Sequence, residues 1–135
     1  MSRSGAAGSG RVAGDAGSAV VDFALVGGLL TLLFAAILQL GLALYVHNML
    51  VSCASEGARY AARADRQPAD ALPETRDLID RTLDDRYASD ITSDREMVDG
   101  VATIVVRVRA PLPLLGLFGR ARVLQATGHA FAETQ

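Results

Sequence analysis

The sequence predicts an α+β chain: one long N-terminal helix, a short amphipathic helix and a small three-stranded antiparallel sheet. Three observations carry this. Residues Phe23–Val46 read FALVGGLLTLLFAAILQLGLALYV, without a single charge. Residues 74–88 set apolar side chains at helical spacing among acids and arginines. From Ile91 the apolar period shortens to two around an Asp99-Gly100 turn, the pattern of strands joined by a hairpin.

The first stretch organises the rest. At a rise of 1.5 Å per residue, residues 23–46 extend about 36 Å, enough to cross a hydrocarbon core of roughly 30 Å. A helix satisfies its own backbone hydrogen bonds where lipid cannot. Only Thr31 and Gln39 interrupt the run with polar side chains. A buried core helix would need partners on every face, and the remaining chain is too short and polar to supply them. Roughly 90 residues remain after the span, near the lower limit for a domain with its own core.

Composition excludes several function classes. The chain has 135 residues, a formal net charge of −2 and no tryptophan. All its basic side chains are arginines. Acids outnumber arginines across residues 65–99, whereas Arg107, Arg109, Arg120 and Arg122 make the C-terminal part basic. These arginines lack interleaved aromatics, so nucleic-acid binding is not indicated. The single cysteine, Cys53, rules out an internal disulfide. His47 and His129 lie far apart, leaving no zinc-type spacing. Asp84-Asp85 lacks the glycine and spacing of a calcium loop. No nucleophile–base set or phosphate-binding loop is present, so the reading is of no enzyme, no cofactor and no metal.

The organisation follows in order. Residues 1–17 are rich in Gly, Ala and Ser with Arg3, Arg11 and Asp15. This composition predicts a disordered leader and resembles the charged start of a targeting segment. Residues 18–66 form the membrane-spanning and extended N-terminal helix, with the span at 23–46. Beyond the span, Leu50, Cys53, Gly57 and Ala61 share one helix face of small residues, suited to the downstream sheet or to another subunit. Pro68 closes this helix and Gln67–Ala71 is a linker. Residues 67–135 then make a small α+β domain. Its helix runs over Glu74–Ala88, opened by Pro73, with Ile79, Leu83 and Tyr87 as the apolar stripe and Leu78 beside it. Val98-Asp99-Gly100-Val101 is a type I′ hairpin. The strand Val101–Ala110 alternates Ala102, Ile104, Val106 and Val108, directed to a helix, with Thr103, Val105, Arg107 and Arg109, directed outward. Residues 112–119 are an apolar Pro/Gly-rich loop, and a last strand spans Arg122–Ala132.

The junction before the span is specific. In Gly17-Ser18-Ala19-Val20-Val21-Asp22-Phe23 an acid abuts the apolar run. A carboxylate there serves either as a helix cap, favoured by the dipole, or as a contact for another molecule. The arrangement resembles the processing site of type IV prepilin-like proteins. That resemblance implies cleavage by a prepilin peptidase between Gly17 and Ser18. It also implies that Asp22, with Phe23, serves subunit assembly by meeting the amino terminus of a neighbour. The acid in that family is usually Glu, one methylene longer.

A second segment narrows the resemblance. Glu56-Gly57-Ala58-Arg59-Tyr60-Ala61-Ala62 closely resembles the EGARYAA signature of TadE-like proteins, single-span pseudopilins of tight-adherence (Flp) pilus systems. The likeness covers about residues 17–64. Gly27-Gly28 departs from it, since the family often has a proline early in the span. The resemblance implies a membrane-anchored minor pseudopilin, N-terminus cytoplasmic and residues 47–135 extracytoplasmic. Its partners would be the prepilin peptidase, other pilin-like subunits and the assembly platform. Two alternatives stand beside it. Leu50-Val51-Ser52-Cys53 fits a lipobox, which would make Cys53 an acylated anchor. The chain also fits a single-span accessory subunit of another membrane complex.

Overall fold

The computed structural model describes residues 12–112 and 123–133, together with Met1 and Gly5. The architecture is α+β in the predicted order: helix α1 (Val12–Ala61), a 3-10 turn (Pro68–Asp70), helix α2 (Ala71–Thr82), a second 3-10 turn (Asp85–Ala88) and strands β1 (Asp90–Val98), β2 (Val101–Pro111) and β3 (Val123–Phe131). The strands form one antiparallel sheet in the order β1-β2-β3. Residues 1–38 and 39–135 separate into two units.

In the first unit, the side chains from Gly14 to Leu38 lie exposed apart from half-buried Gly27. Among the described residues, none buries the apolar stretch of α1. Thr31, one of its two polar side chains, donates its hydroxyl to the Gly27 carbonyl at 2.8 Å, which satisfies it without water. The expected disorder of residues 1–17 is corrected for 12–17, which are helical. A helix already nucleated by the apolar run extends at small cost per residue, and Asp15 in the first turn complements the dipole. Residues 2–4 and 6–11 lie outside the described residues.

The second unit is built around the remainder of α1. Val46, Leu50, Cys53, Ala54, Ala58, Ala61 and Ala62 are buried, which takes in the expected face of Leu50, Cys53, Gly57 and Ala61 and widens it. The small face permits close approach. A Cβ built on Gly128 of β3 would stand 2.6 Å from the Ala54 carbonyl oxygen and closer still to the Ser55 nitrogen, so the sheet backbone rests directly on the helix. Ile104, Val106, Val108, Ala110 and Ala126 fill the same core.

Helix α1 stops at Ala61, short of the expected Arg66; a turn follows, closed by an Arg66 N–H to Arg63 carbonyl bond of 3.1 Å. The expected linker is a 3-10 turn in which Asp70 accepts from the Gln67 N–H at 2.8 Å. The second helix also differs from expectation. It covers Ala71–Thr82 rather than 74–88, with Pro73 inside its first turn, where no intrahelical N–H is required. Leu83 is extended at φ −132°, and Asp84 accepts from the Arg86 N–H to cap a separate 3-10 turn. Asp84-Asp85 favours a cap over a helix interior. The buried stripe is accordingly Ala71, Thr75 and Ile79. Tyr87 is buried from its own turn, and Leu83 is half-buried.

The hairpin forms as its sequence dictates. Asp99 and Gly100 both have positive φ, 50° and 80°, and Val98 pairs with Val101. Strand β1 begins at Asp90, β2 includes Pro111, and β3 ends at Phe131, one residue before the expected end, while its expected first residue, Arg122, lies outside the described residues. The outward face of β2 needs correction: Thr103 and Val105 are buried, at 3% and 0% exposure. Arg107 folds over that face, donating to Glu96 Oε1 at 2.6 Å and reaching Asp94 at 3.7 Å across the β1–β2 ladder. Its stem and these partners screen the centre of the sheet while the charged heads stay near water. The apolar loop expected at 112–119 lies beyond the described residues from 113 onward.

Candidate functional site

The sequence-derived site residues fall into two groups on one helix. Gly17, Ser18, Asp22 and Phe23 all lie within α1 and are exposed. Ser18 and Asp22 are i, i+4 and share a face. Asp22 does not cap the helix, because α1 begins ten residues earlier at Val12. Of its two readings, capping is therefore removed in this chain as it stands. Among the described residues, Asp22 has no ion pair or side-chain hydrogen bond.

The second group, residues 56–60, divides by job. Gly57 and Ala58 are buried. A Cβ at Gly57 would overlap the Thr75 hydroxyl and stand 3.1 Å from Thr75 Cβ and 3.3 Å from the Ala71 carbonyl oxygen. Gly57 is thus the point where α1 and α2 touch backbone to side chain. Tyr60 lies half-buried under Arg66, whose guanidinium stands 3.7 Å from the ring centroid, with Arg63 at 5.7 Å. This cation–π stack ties the turn after α1 back onto the helix. Glu56 and Arg59 do none of this. Their side chains are 60% and 72% exposed and approach each other only to 3.7 Å.

Both groups lie in α1, whose apolar stretch, unburied among the described residues, is long enough to serve as a single membrane anchor. Residues 17–59 match the family of TadE-like proteins. The TadE-like segment begins at Gly17 and ends at Arg59, so it takes in the junction, the span and the first four signature residues. No curated protein and no solved structure matches the chain.

The lipobox reading does not fit the TadE-like segment as folded. Cys53 is 5% exposed in the core and Leu50 0%. The Cys53 thiol stands 3.7 Å from the Thr82 hydroxyl. Acylation after cleavage before Cys53 would cut α1 inside its packed half and strip Leu50 from the core.

Sequence reasoning missed two packing devices. Gly128 carries a legible signal, a lone glycine within a strand pattern, which marks close backbone approach. Thr75, fully buried with its hydroxyl unpaired among the described residues, carries none.

Proposed function

We propose that this chain is a membrane-anchored minor pseudopilin that serves assembly of a tight-adherence (Flp-type) pilus or related secretion apparatus, and not catalysis. The observation that carries the reading is the TadE-like match beginning at Gly17, within a helix whose apolar stretch is long enough to cross a membrane and is buried by none of the described residues. In this reading, a prepilin peptidase cleaves between Gly17 and Ser18, with residues 1–17 as leader. The new Ser18 amine then lies one helical turn from Asp22, where an acid meets the amino terminus of a neighbouring subunit. Residues 47–135 face the extracytoplasmic side, in contact with other pilin-like subunits and the assembly platform. Because Gly17 and Ser18 are helical, the leader must unwind locally before a peptidase reaches the bond. Two glycines, Gly14 and Gly17, lower the cost of that unwinding, each destabilising a helix by about 1 kcal/mol relative to Ala.

The test is N-terminal sequencing and intact mass of the protein extracted from membranes that contain a prepilin peptidase. Expected is a mature start at Ser18, and full-length precursor for Gly17→Leu. A mature start at any other residue overturns the processing reading.

A further inference from the structure

We propose that the exposed face of α1 after the span, centred on Ser52 and flanked by Glu56 and Arg59, is a self-association surface that pairs two copies of this chain in parallel. The inference rests on the anchored reading above, since a shared membrane is what makes the two helices parallel.

Three observations lead to it. First, the buried face of α1 is fully occupied, whereas Tyr45, Asn48, Ser52, Glu56 and Arg59 form an unbroken exposed stripe along the same helix. Second, the folded domain gives Glu56 and Arg59 nothing to do. Gly57 and Ala58 pack the core and Tyr60 holds Arg66, while among the described residues Glu56 and Arg59 form an ion pair only with each other. Their separation of 3.7 Å exceeds the roughly 2.7–2.9 Å of a direct charge-assisted bond, so either can exchange partners at little cost.

Third, the stripe is self-complementary. At about 100° per residue, Tyr45 and Ser52 lie near its midline, Glu56 on one flank and Arg59 on the other. Around a two-fold axis parallel to two helices, the Glu56 flank of one copy meets the Arg59 flank of the other. The two residues are offset by about 4.5 Å along the axis, within reach of their side chains. Two reciprocal Glu56–Arg59 pairs then replace two weak internal ones, with small Ser52 between them to let the backbones approach. Arg63, beyond the end of α1 and turned toward Tyr60, sits outside this set. A solvated stripe with an incidental i, i+3 pair is the competing explanation, and it predicts no dimer.

The experiment uses the full chain in native membranes with Cys53→Ala, so that an introduced thiol is the only one. Ser52→Cys should give a disulfide-linked homodimer on mild oxidation, while Asp80→Cys, exposed on α2, should stay monomeric. In the Ser52→Cys background, Glu56→Arg alone or Arg59→Glu alone should cut dimer yield about tenfold, the factor for a change of about 1.4 kcal/mol. Co-expressing the two single variants with different tags should restore the yield as a mixed dimer, which an internal pair cannot do. A monomeric Ser52→Cys chain overturns the proposal, as does a mixture no better than either variant alone. The N-terminus of the same sample separates this result from the processing reading. A Ser18 start without cross-linking removes only the dimer, and cross-linking of an uncut chain removes only the cleavage.

Discussion

Gly57 on α1 and Thr75 on α2 occupy the same space but for one missing methyl group. The overlap makes Gly57→Ala a sharp test of how the two helices are joined. Overpacking a fully buried contact costs about 1–3 kcal/mol. Thr75→Ala removes the hydroxyl that an alanine at 57 would strike, leaving Thr75 Cβ at 3.1 Å. Gly57→Ala should therefore lower the melting temperature of the detergent-solubilised protein, and adding Thr75→Ala should recover part of the loss. Additive losses in the double-mutant cycle would mean the two positions do not share this contact.

Gly128 is less forgiving. Its neighbours are the main-chain atoms of Ala54 and Ser55, which cannot rotate away as a side chain can. Gly128→Ala should push β3 off α1 and cost about 3 kcal/mol or more, among the large effects reserved for core disruption. Limited proteolysis of membranes should show rapid loss of residues 62–135, while the span stays protected. Resistance equal to that of the unaltered chain would contradict the close approach.

Asp84 supplies a pH dependence. The Arg86 backbone N–H, then the Asp85 side chain and the Arg86 charge, hold its carboxyl below the ordinary value of 3.8. A carboxyl depressed in the folded state adds stability that is fully present above the unfolded pKa and fades as pH falls through the folded one. The stability gap between the unaltered chain and Asp84→Ala should stay constant from about pH 7 down to about pH 4, then narrow below that. A gap that persists unchanged in stronger acid would show that the carboxylate charge is not what caps the turn.

Asp22 tests the assembly role. It is exposed and does not cap α1, so Asp22→Asn should leave insertion and cleavage normal. If its charge meets the Ser18 amine of a neighbour, losing it strands that ammonium at the membrane edge at a cost of about 1–3 kcal/mol per contact. Asp22→Asn should accordingly abolish surface pili, and Asp22→Glu should retain them. Normal piliation by Asp22→Asn would end the contact role.

The elements that local chemistry dictates were legible in the sequence. An uncharged run long enough to cross a membrane, a small-residue face on α1 and an Asp-Gly turn each specify their structure without help from distant residues. Element ends were less legible, because they depend on competition. The helix expected over Glu74–Ala88 includes Asp84 and Asp85, but the capping preference of Asp84 starts a separate turn instead. Burial of Thr103 and Val105 is not legible in a period-two pattern, which cannot show that Arg107 reaches over to Glu96. At the candidate site, the sequence marked residues 56–60 as one motif. Only packing separates Gly57, Ala58 and Tyr60, which the fold consumes, from Glu56 and Arg59, which it leaves free.

The end of β3 sets an order of events. The Glu133 N–H bonds to the Ala62 carbonyl at 2.9 Å, and Ala132 to Ala102 at 2.8 Å, so the last described residues close onto the exit of α1. Such distant pairing makes closure slow compared with local helix formation. During folding, α1 forms before residues 123–133 pair with their distant partners, and until then its alanine face at Ala54, Ala58 and Ala61 lies bare. The chain therefore passes through an interval in which a half-built domain displays an adhesive helix. A chain stalled before β3 would stay in that state, open to proteases and to mispairing with its neighbours.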